Sequence, residues 1–271
     1  MGGVPLRVAV LAWLAACSLP LAGLAQPVAL SGDVASSHSS PTLGAGPAIP
    51  RPSQQADAGA MPLRPGTMRA RLAACTACHG EQGKAGADGY YPRLAGKPQA
   101  YLFQQLQHFR DGQRRYAPMT ELLVGLPDAY LHDMAGWFAA QSVPYPAPLR
   151  PTASPTQLER GRVLATAGDA RLGLPACTAC HGATLSGVLP AIPGVLGLPQ
   201  DYLASQLGGW QGGLRHAAAP DCMADVARAL TPADLAAVAS WLAAQPVPTP
   251  YQPVARDAVN LPMACGSQTQ D

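Results

Sequence analysis

The pentapeptide Cys75-Thr76-Ala77-Cys78-His79 recurs, residue for residue, as Cys177-Thr178-Ala179-Cys180-His181. No other feature restricts the fold so severely. Two thiols separated by two residues and followed directly by an imidazole form the attachment signature of a c-type haem. On a helical turn the two sulfurs reach the vinyl-derived carbons of one porphyrin, and the adjoining His is directed at the iron. A lone C-x-x-C would equally suit a thioredoxin-like redox pair or half a zinc site. Two copies, each ending in His, with no further C-x-x-C and no thioredoxin-like strand pattern, point instead to two covalently attached haem c groups. Cys75, Cys78, Cys177 and Cys180 are the attachment residues, and His79 and His181 the proximal iron ligands.

A second axial ligand must come from across each ring. Met119 and Met223 stand 40 and 42 residues after His79 and His181, each expected in a loop that follows an apolar helix and a Gly-x-Arg. A thioether suits low-spin iron and raises its potential relative to a second imidazole. His108, His132 and His216 lack the C-x-x-C context and read as surface or locally bonded histidines. Of these, His216 is near enough in sequence to Met223 to compete as a ligand.

The repeat extends well beyond the pentapeptide. An offset of 101 pairs Pro92 with Pro193, Gly96 with Gly197, Tyr101 with Tyr202, Gln105 with Gln206, Phe109 with Trp210 and Arg114 with Arg215. Three extra residues near Ala217 to Ala219 shift the offset to 104, which pairs Met119 with Met223 and Trp137 with Trp241. Self-similarity on this scale marks a tandem duplication of one unit. Helical spacing of Tyr101, Leu102, Gln105, Leu106 and Phe109, and of Leu235, Val238, Trp241 and Leu242, predicts an all-α fold. Ser154-Pro155-Thr156-Gln157 reads as a helix start, with Ser154 as cap and Gln157 as its reciprocal partner. The expected organisation is a first domain at 67–150, a second at 151–250 and a tail at 251–271.

Composition excludes several classes. Charged residues make up only 13%, which argues against a coiled coil or a charged disordered tail. The net charge of +2 comes with no basic run, so nucleic acid is not an expected partner. With 3 Phe, 4 Trp and 8 Tyr, each small domain is short of large core residues, and the haem supplies the missing apolar body. Residues 1–25 read as an export signal, with Arg7 at its positive end and Gly23-Leu24-Ala25 before the cleavage point. Leu14-Ala15-Ala16-Cys17 also fits a lipoprotein box, and an uncleaved apolar stretch would serve as a membrane anchor. All three readings place the body outside the cytoplasm. Residues 26–66, rich in Ala, Pro, Gly and Ser, read as a flexible tether.

The repeated Cys-Thr-Ala-Cys-His-Gly, the run PRLAGKPQAYLFQQLQHFRDGQRR, the following Met119 and the WFAAQ and WLAAQ ends resemble the two-haem class I cytochromes c of the cytochrome c4 type. The resemblance covers about residues 67–250. It implies two small all-helical cytochrome domains packed about a pseudo-two-fold. It also implies a periplasmic carrier that passes electrons from a respiratory donor to a terminal oxidase or reductase, with no bond made or broken at the iron. Carried over by position, His79 and Met119 ligate the first iron, and His181 and Met223 the second. The carbonyls of Pro92 and Pro193 accept the proximal His N–H groups, which tunes each ligand.

Other residues add detail and leave alternatives open. Arg114 and its match Arg215 are candidates to pair with haem propionates. Cys222 and Cys265 are the thiols left once the haems and Cys17 are set aside, and in an oxidising compartment they are expected to form a disulfide. Alternatively, Cys222 as a thiolate ligand would resemble the two-haem thiosulfate dehydrogenases. A third alternative is a cytochrome subunit of a membrane dehydrogenase or oxidase complex, held there by its tether. Residues 64–150 carry a formal +4 and 151–250 a formal −1, an asymmetry that would orient the molecule on a partner.

Overall fold

The computed structural model describes residues 66–86, 89–148 and 150–268. All of them fall in one unit, Ala60–Asp271. The export signal, Cys17 and all but the last residue of the tether lie outside the described residues.

Among the described residues, four α-helices begin where a side chain caps them. Thr67 accepts the Ala70 N–H at the head of α1 (Met68–Arg71), which leads into α2 (Ala73–His79) with the first pair of thiols. Helices α3 (Gln99–Arg110), α4 (Ala117–Leu123) and α5 (Asp128–Ala139) complete the first half. The second half opens on α6 (Pro155–Thr166), where Ser154 Oγ accepts the Gln157 N–H at 3.2 Å and Pro155 sits in the first turn, as its sequence predicts. It continues through α7 (Cys177–His181), α8 (Gln200–Gln211), α9 (Cys222–Ala229) and α10 (Pro232–Ala244). Thr231 and Pro232 repeat the capping device at α10.

The second half departs from the all-helical expectation at a small antiparallel pair, β1 (Gly187–Val188) and β2 (Ile192–Pro193). Gly187 has a φ of +101°, and a Cβ there would lie 2.5 Å from the Ile192 carbonyl oxygen, so only glycine lets the two segments close.

Each half has its own apolar cluster. In the first, Leu72, Leu102, Phe109, Leu123, Leu131, Met134, Ala135 and Phe138 are buried together. In the second the corresponding positions are Leu203, Val238, Ala239 and Leu242, joined by Leu164, Leu185 and Leu196. The predicted stripes are therefore the core faces of α3 and α10, with Leu102 and Phe109 in one and Val238 and Leu242 in the other.

Two contacts hold α6 against α10. Gly161 lies so close to α10 that a Cβ would stand 2.2 Å from the Ala237 carbonyl oxygen. Beside it, Arg160 Nε donates to Asp234 Oδ1 at 2.7 Å and Arg160 Nη1 to Asp169 Oδ2 at 3.1 Å.

The tail is docked. Val254 N–H donates to the Gly187 carbonyl at 3.0 Å, and Tyr251 Oη donates to the Leu185 carbonyl at 2.7 Å while accepting the Leu196 N–H at 2.8 Å. Cys265 is disulfide-bonded to Cys222, and Gln104 of α3 donates to the Ser267 carbonyl at 3.0 Å. The tail thus spans both halves of the repeat.

Two outcomes are expected. Gly161→Ala forces α6 and α10 apart and costs about 1–3 kcal/mol, read by denaturant unfolding. The Arg160 hydrogen bond holds the Asp234 carboxyl below its ordinary value. Its stabilisation is therefore present above the unfolded aspartate range, about pH 4, and is lost as pH falls through the lower folded value. Asp234→Asn flattens that acid limb in a melting-temperature profile.

Candidate haem centres and the face between them

Helices α2 and α7 place each thiol pair and its His on one turn. All four thiols are unbridged and partly buried. Burial pushes the Cys177 thiol up to about 11 and moves Cys75 in the same direction, so neither is a thiolate at neutral pH. Among the described residues no group of three or more His, Cys, Asp or Glu could hold a bare ion, whereas a structural zinc takes four such ligands.

Both imidazoles are fixed in the same way. His79 Nδ1 lies 2.8 Å from the Pro92 carbonyl oxygen and His181 Nδ1 lies 2.8 Å from that of Pro193. A carbonyl only accepts, so Nδ1 carries the proton and Nε2 is left with a lone pair for a metal. Both rings are buried, and burial pushes both below the ordinary histidine value. The proline carbonyls oppose that shift, while Arg114 reinforces it at His79 and Lys97 reinforces it at His181. The loop that returns each carbonyl starts at a glycine with positive φ, Gly80 at +74° and Gly182 at +82°. A Cβ on Gly80 would stand 2.6 Å from the Ala85 carbonyl oxygen.

The two methionines are not in loops. Met119 is the third residue of α4, partly buried against the first apolar cluster, and Met223 is the second residue of α9. The preceding chain explains the difference. Pro118 sits in the first turn of α4, and Asp221 caps α9 by accepting the Ala224 N–H at 3.1 Å, so both segments turn helical before the methionine. Cys222, next to Met223, is committed to Cys265.

The other histidines divide. His132 of α5 lies 3.1 Å from Gln99 Nε2 of α3, and His216 Nε2 lies 3.1 Å from the Gly213 carbonyl of its own turn. His108 is buried rather than on the surface: it shares a flank of α3 with Gln104, which donates to the Ser267 carbonyl of the tail, and the charges acting on it include Arg114, Arg215 and Asp221.

Arg114 and Arg215 meet between the halves. Arg114 donates to Gln105 of its own half, at 3.1 Å, and to Tyr202 (3.2 Å) and Gln206 of the other. Arg215 reciprocates, donating to Gln206 (2.9 Å) of its own half and to Gln105 (3.0 Å) and Tyr101 (3.4 Å) of the first. The backbones join too, through Arg115 N–H to Leu214 O at 2.8 Å and His216 N–H to Gln113 O at 2.7 Å. Equivalent residues exchanging equivalent bonds define a local pseudo-two-fold. Sequence spacing alone missed this contact, although two copies of one arginine in a duplicated chain are where such an axis would bring a residue against its own match.

Haem c fits these residues on three observations. The donor sets are two thiols with an imidazole whose Nε2 is open. Arg114 and Arg215 are buried with no carboxylate partner among the described residues, leaving positive charge that suits propionates. Trp210 Nε1 is buried without a hydrogen-bond partner among the described residues, and Arg215 stacks on its ring at 3.8 Å.

Helical lobes built around C-x-x-C-H turns define a c-type cytochrome, and the cytochrome c family profile matches residues 69–135. Cytochrome c4 of Pseudomonas aeruginosa is 34% identical over 176 residues, 64% of this chain and 85% of that protein. A thiosulfate dehydrogenase electron acceptor of Thiomonas intermedia is 38% identical over 176 residues, 65% of this chain and 80% of that protein. The crystal structure of reduced cytochrome c4 from Pseudomonas stutzeri superposes with a TM-score of 0.56 at 31% identity, covering 65% of this chain and 95% of that one. A thiosulfate dehydrogenase of Marichromatium purpuratum superposes with a TM-score of 0.58 at 31% identity, but this chain spans only 36% of it. The chain belongs to the cytochrome c4 family of two-haem class I c-type cytochromes and carries covalently bound haem c.

Arg215→Leu strands three polar partners at this face. It is expected to lower stability by about 3 kcal/mol, with Arg215→Lys recovering only part because an ammonium lacks the guanidinium fork. Chemical denaturation of the three proteins measures it.

Proposed function

We propose that the protein is a one-electron carrier of the periplasm, with two six-coordinate His/Met haems in domains at 67–150 and 151–250. The observation that carries this reading is the matched pair of imidazoles, each with Nδ1 on a proline carbonyl at 2.8 Å and a methionine at the same repeat register. Bound haem supplies an iron that takes up and releases one electron. Cys75 and Cys78 hold the first haem and Cys177 and Cys180 the second. His79 and His181 would offer Nε2 to the irons, and Met119 and Met223, at matched positions of the repeat, would supply the second ligands. Arg114 and Arg215 face propionates as well as one another. The Cys222–Cys265 disulfide supports an oxidising compartment.

Its partners are redox proteins, a donor and a terminal oxidase or reductase. Relatives named as electron acceptors of thiosulfate dehydrogenase support a sulfur-oxidising enzyme as one donor. An enzymatic reading with Cys222 on the second iron has a candidate thiol in the sequence, but that thiol is bonded to Cys265. Among the described residues no helix is long and apolar enough to cross a membrane, so anchoring or membership in a membrane complex would rest on the amino-terminal residues.

Optical and electron-paramagnetic spectra of the oxidised protein test this. Two low-spin haems with the weak near-infrared band of methionine-sulfur ligation are expected. Met119→His and Met223→His each remove half of that band and lower one midpoint potential. Cys222→Ala leaves both ligand sets unchanged. A thiolate spectrum, or thiosulfate oxidation lost in Cys222→Ala, would overturn the carrier reading.

A further inference from the structure

Lys97 belongs to the first half but reaches the second. It is 5% exposed, and its Nζ donates to the carbonyl of Gly194. Gly194 follows Pro193, whose carbonyl holds His181. Glycine is needed there, because a Cβ would stand 2.6 Å from the Ser186 carbonyl oxygen and 2.8 Å from Tyr251 Oη. Among the described residues no carboxylate pairs with Lys97. The facing charged group is Arg93, whose guanidinium is turned onto the Ala95, Pro144 and Val143 carbonyls and the Tyr145 ring.

The duplication does not repeat this contact. At the offset of 101, Lys97 matches Leu198, a buried member of the second apolar cluster, and Gly194 matches Arg93.

We infer that Lys97 is a positioning residue for electron transfer, a buried cation lent by the first half that raises the potential of the second haem above the value its own half would set. The inference rests on His181 as that haem's proximal ligand. Reduction adds one negative charge at the iron. A cation nearby in a poorly screened interior favours the reduced state, by about tenfold in the equilibrium at about 10 Å and an effective dielectric near 20. Burial, with Arg93 adding to it, pushes the lysine down to about 7, so the charge is present in mildly acidic solution. Through this contact the direction of electron flow between the haems becomes a property of the assembled pair.

Spectroelectrochemical titration of the holoprotein at about pH 6 tests this. The second haem is identified by NMR contacts to Cys177 and Cys180, which depend on attachment alone. Lys97→Gln and Lys97→Met are expected to disfavour its reduction about tenfold relative to the parent, equivalent to about 59 mV for one electron. Lys97→Arg is expected to restore it, and the first haem is expected to stay put. Unchanged midpoints, equal shifts of both haems, or a loss that Lys97→Arg does not restore would overturn the inference. A second haem that does not respond to Met223→His would overturn the axial-ligand reading and leave the lysine comparison valid.

Discussion

Each half is organised around one hydrogen bond, from a histidine Nδ1 to a proline carbonyl 2.8 Å away. That bond settles which nitrogen is free and how the ring is turned, and it closes the loop of about a dozen residues between the attachment turn and the proline. The glycines after His79 and His181 let the chain leave the helix in the required direction. The apolar clusters then have little left to define. Their side chains are mostly leucine, alanine and valine, sized to line a macrocycle rather than to fill the lobe unaided.

The face between the halves is polar where a duplicated fold would more simply be greasy. Arg114 and Arg215 face one another across the local axis, hydrogen-bonded to neutral glutamine and tyrosine oxygens, with no carboxylate partner among the described residues. Two like charges are tolerated there if acidic groups share the space, and haem carries such groups. If propionates occupy that space, as proposed, the binding of cofactor and the docking of the halves would be coupled, since removal of the cofactor would leave the guanidiniums facing each other with nothing to offset them.

The attachment motif was legible because covalent stereochemistry dictates its spacing, the duplication because it is written twice, and the two prolines through the family resemblance. The helical setting of Met119 and Met223 was not, since it depends on Pro118 and on the Asp221 cap, short signals beside a stronger Gly-x-Arg turn. Lys97 carried no motif, and its meaning comes from a carbonyl 97 positions away. Beyond Cys265, expected to bond Cys222, the tail gave no signal, because Tyr251 and Val254 dock by backbone and hydroxyl hydrogen bonds in a stretch with no regular period.

The tail also makes the two ends of the repeat unlike. Beyond Met119 the surface of α4 exposes Leu122 and Val124, at 50% and 71%. At the matching positions beyond Met223, Val226 is packed against the core and Arg228 is paired with Asp225, while the Cys265 segment is fastened to Cys222 at the head of α9. One half therefore offers a bare apolar patch beside its methionine, and the other a charged and strapped one. A partner surface shaped to the apolar patch of the first half would thus not fit the matched patch of the second.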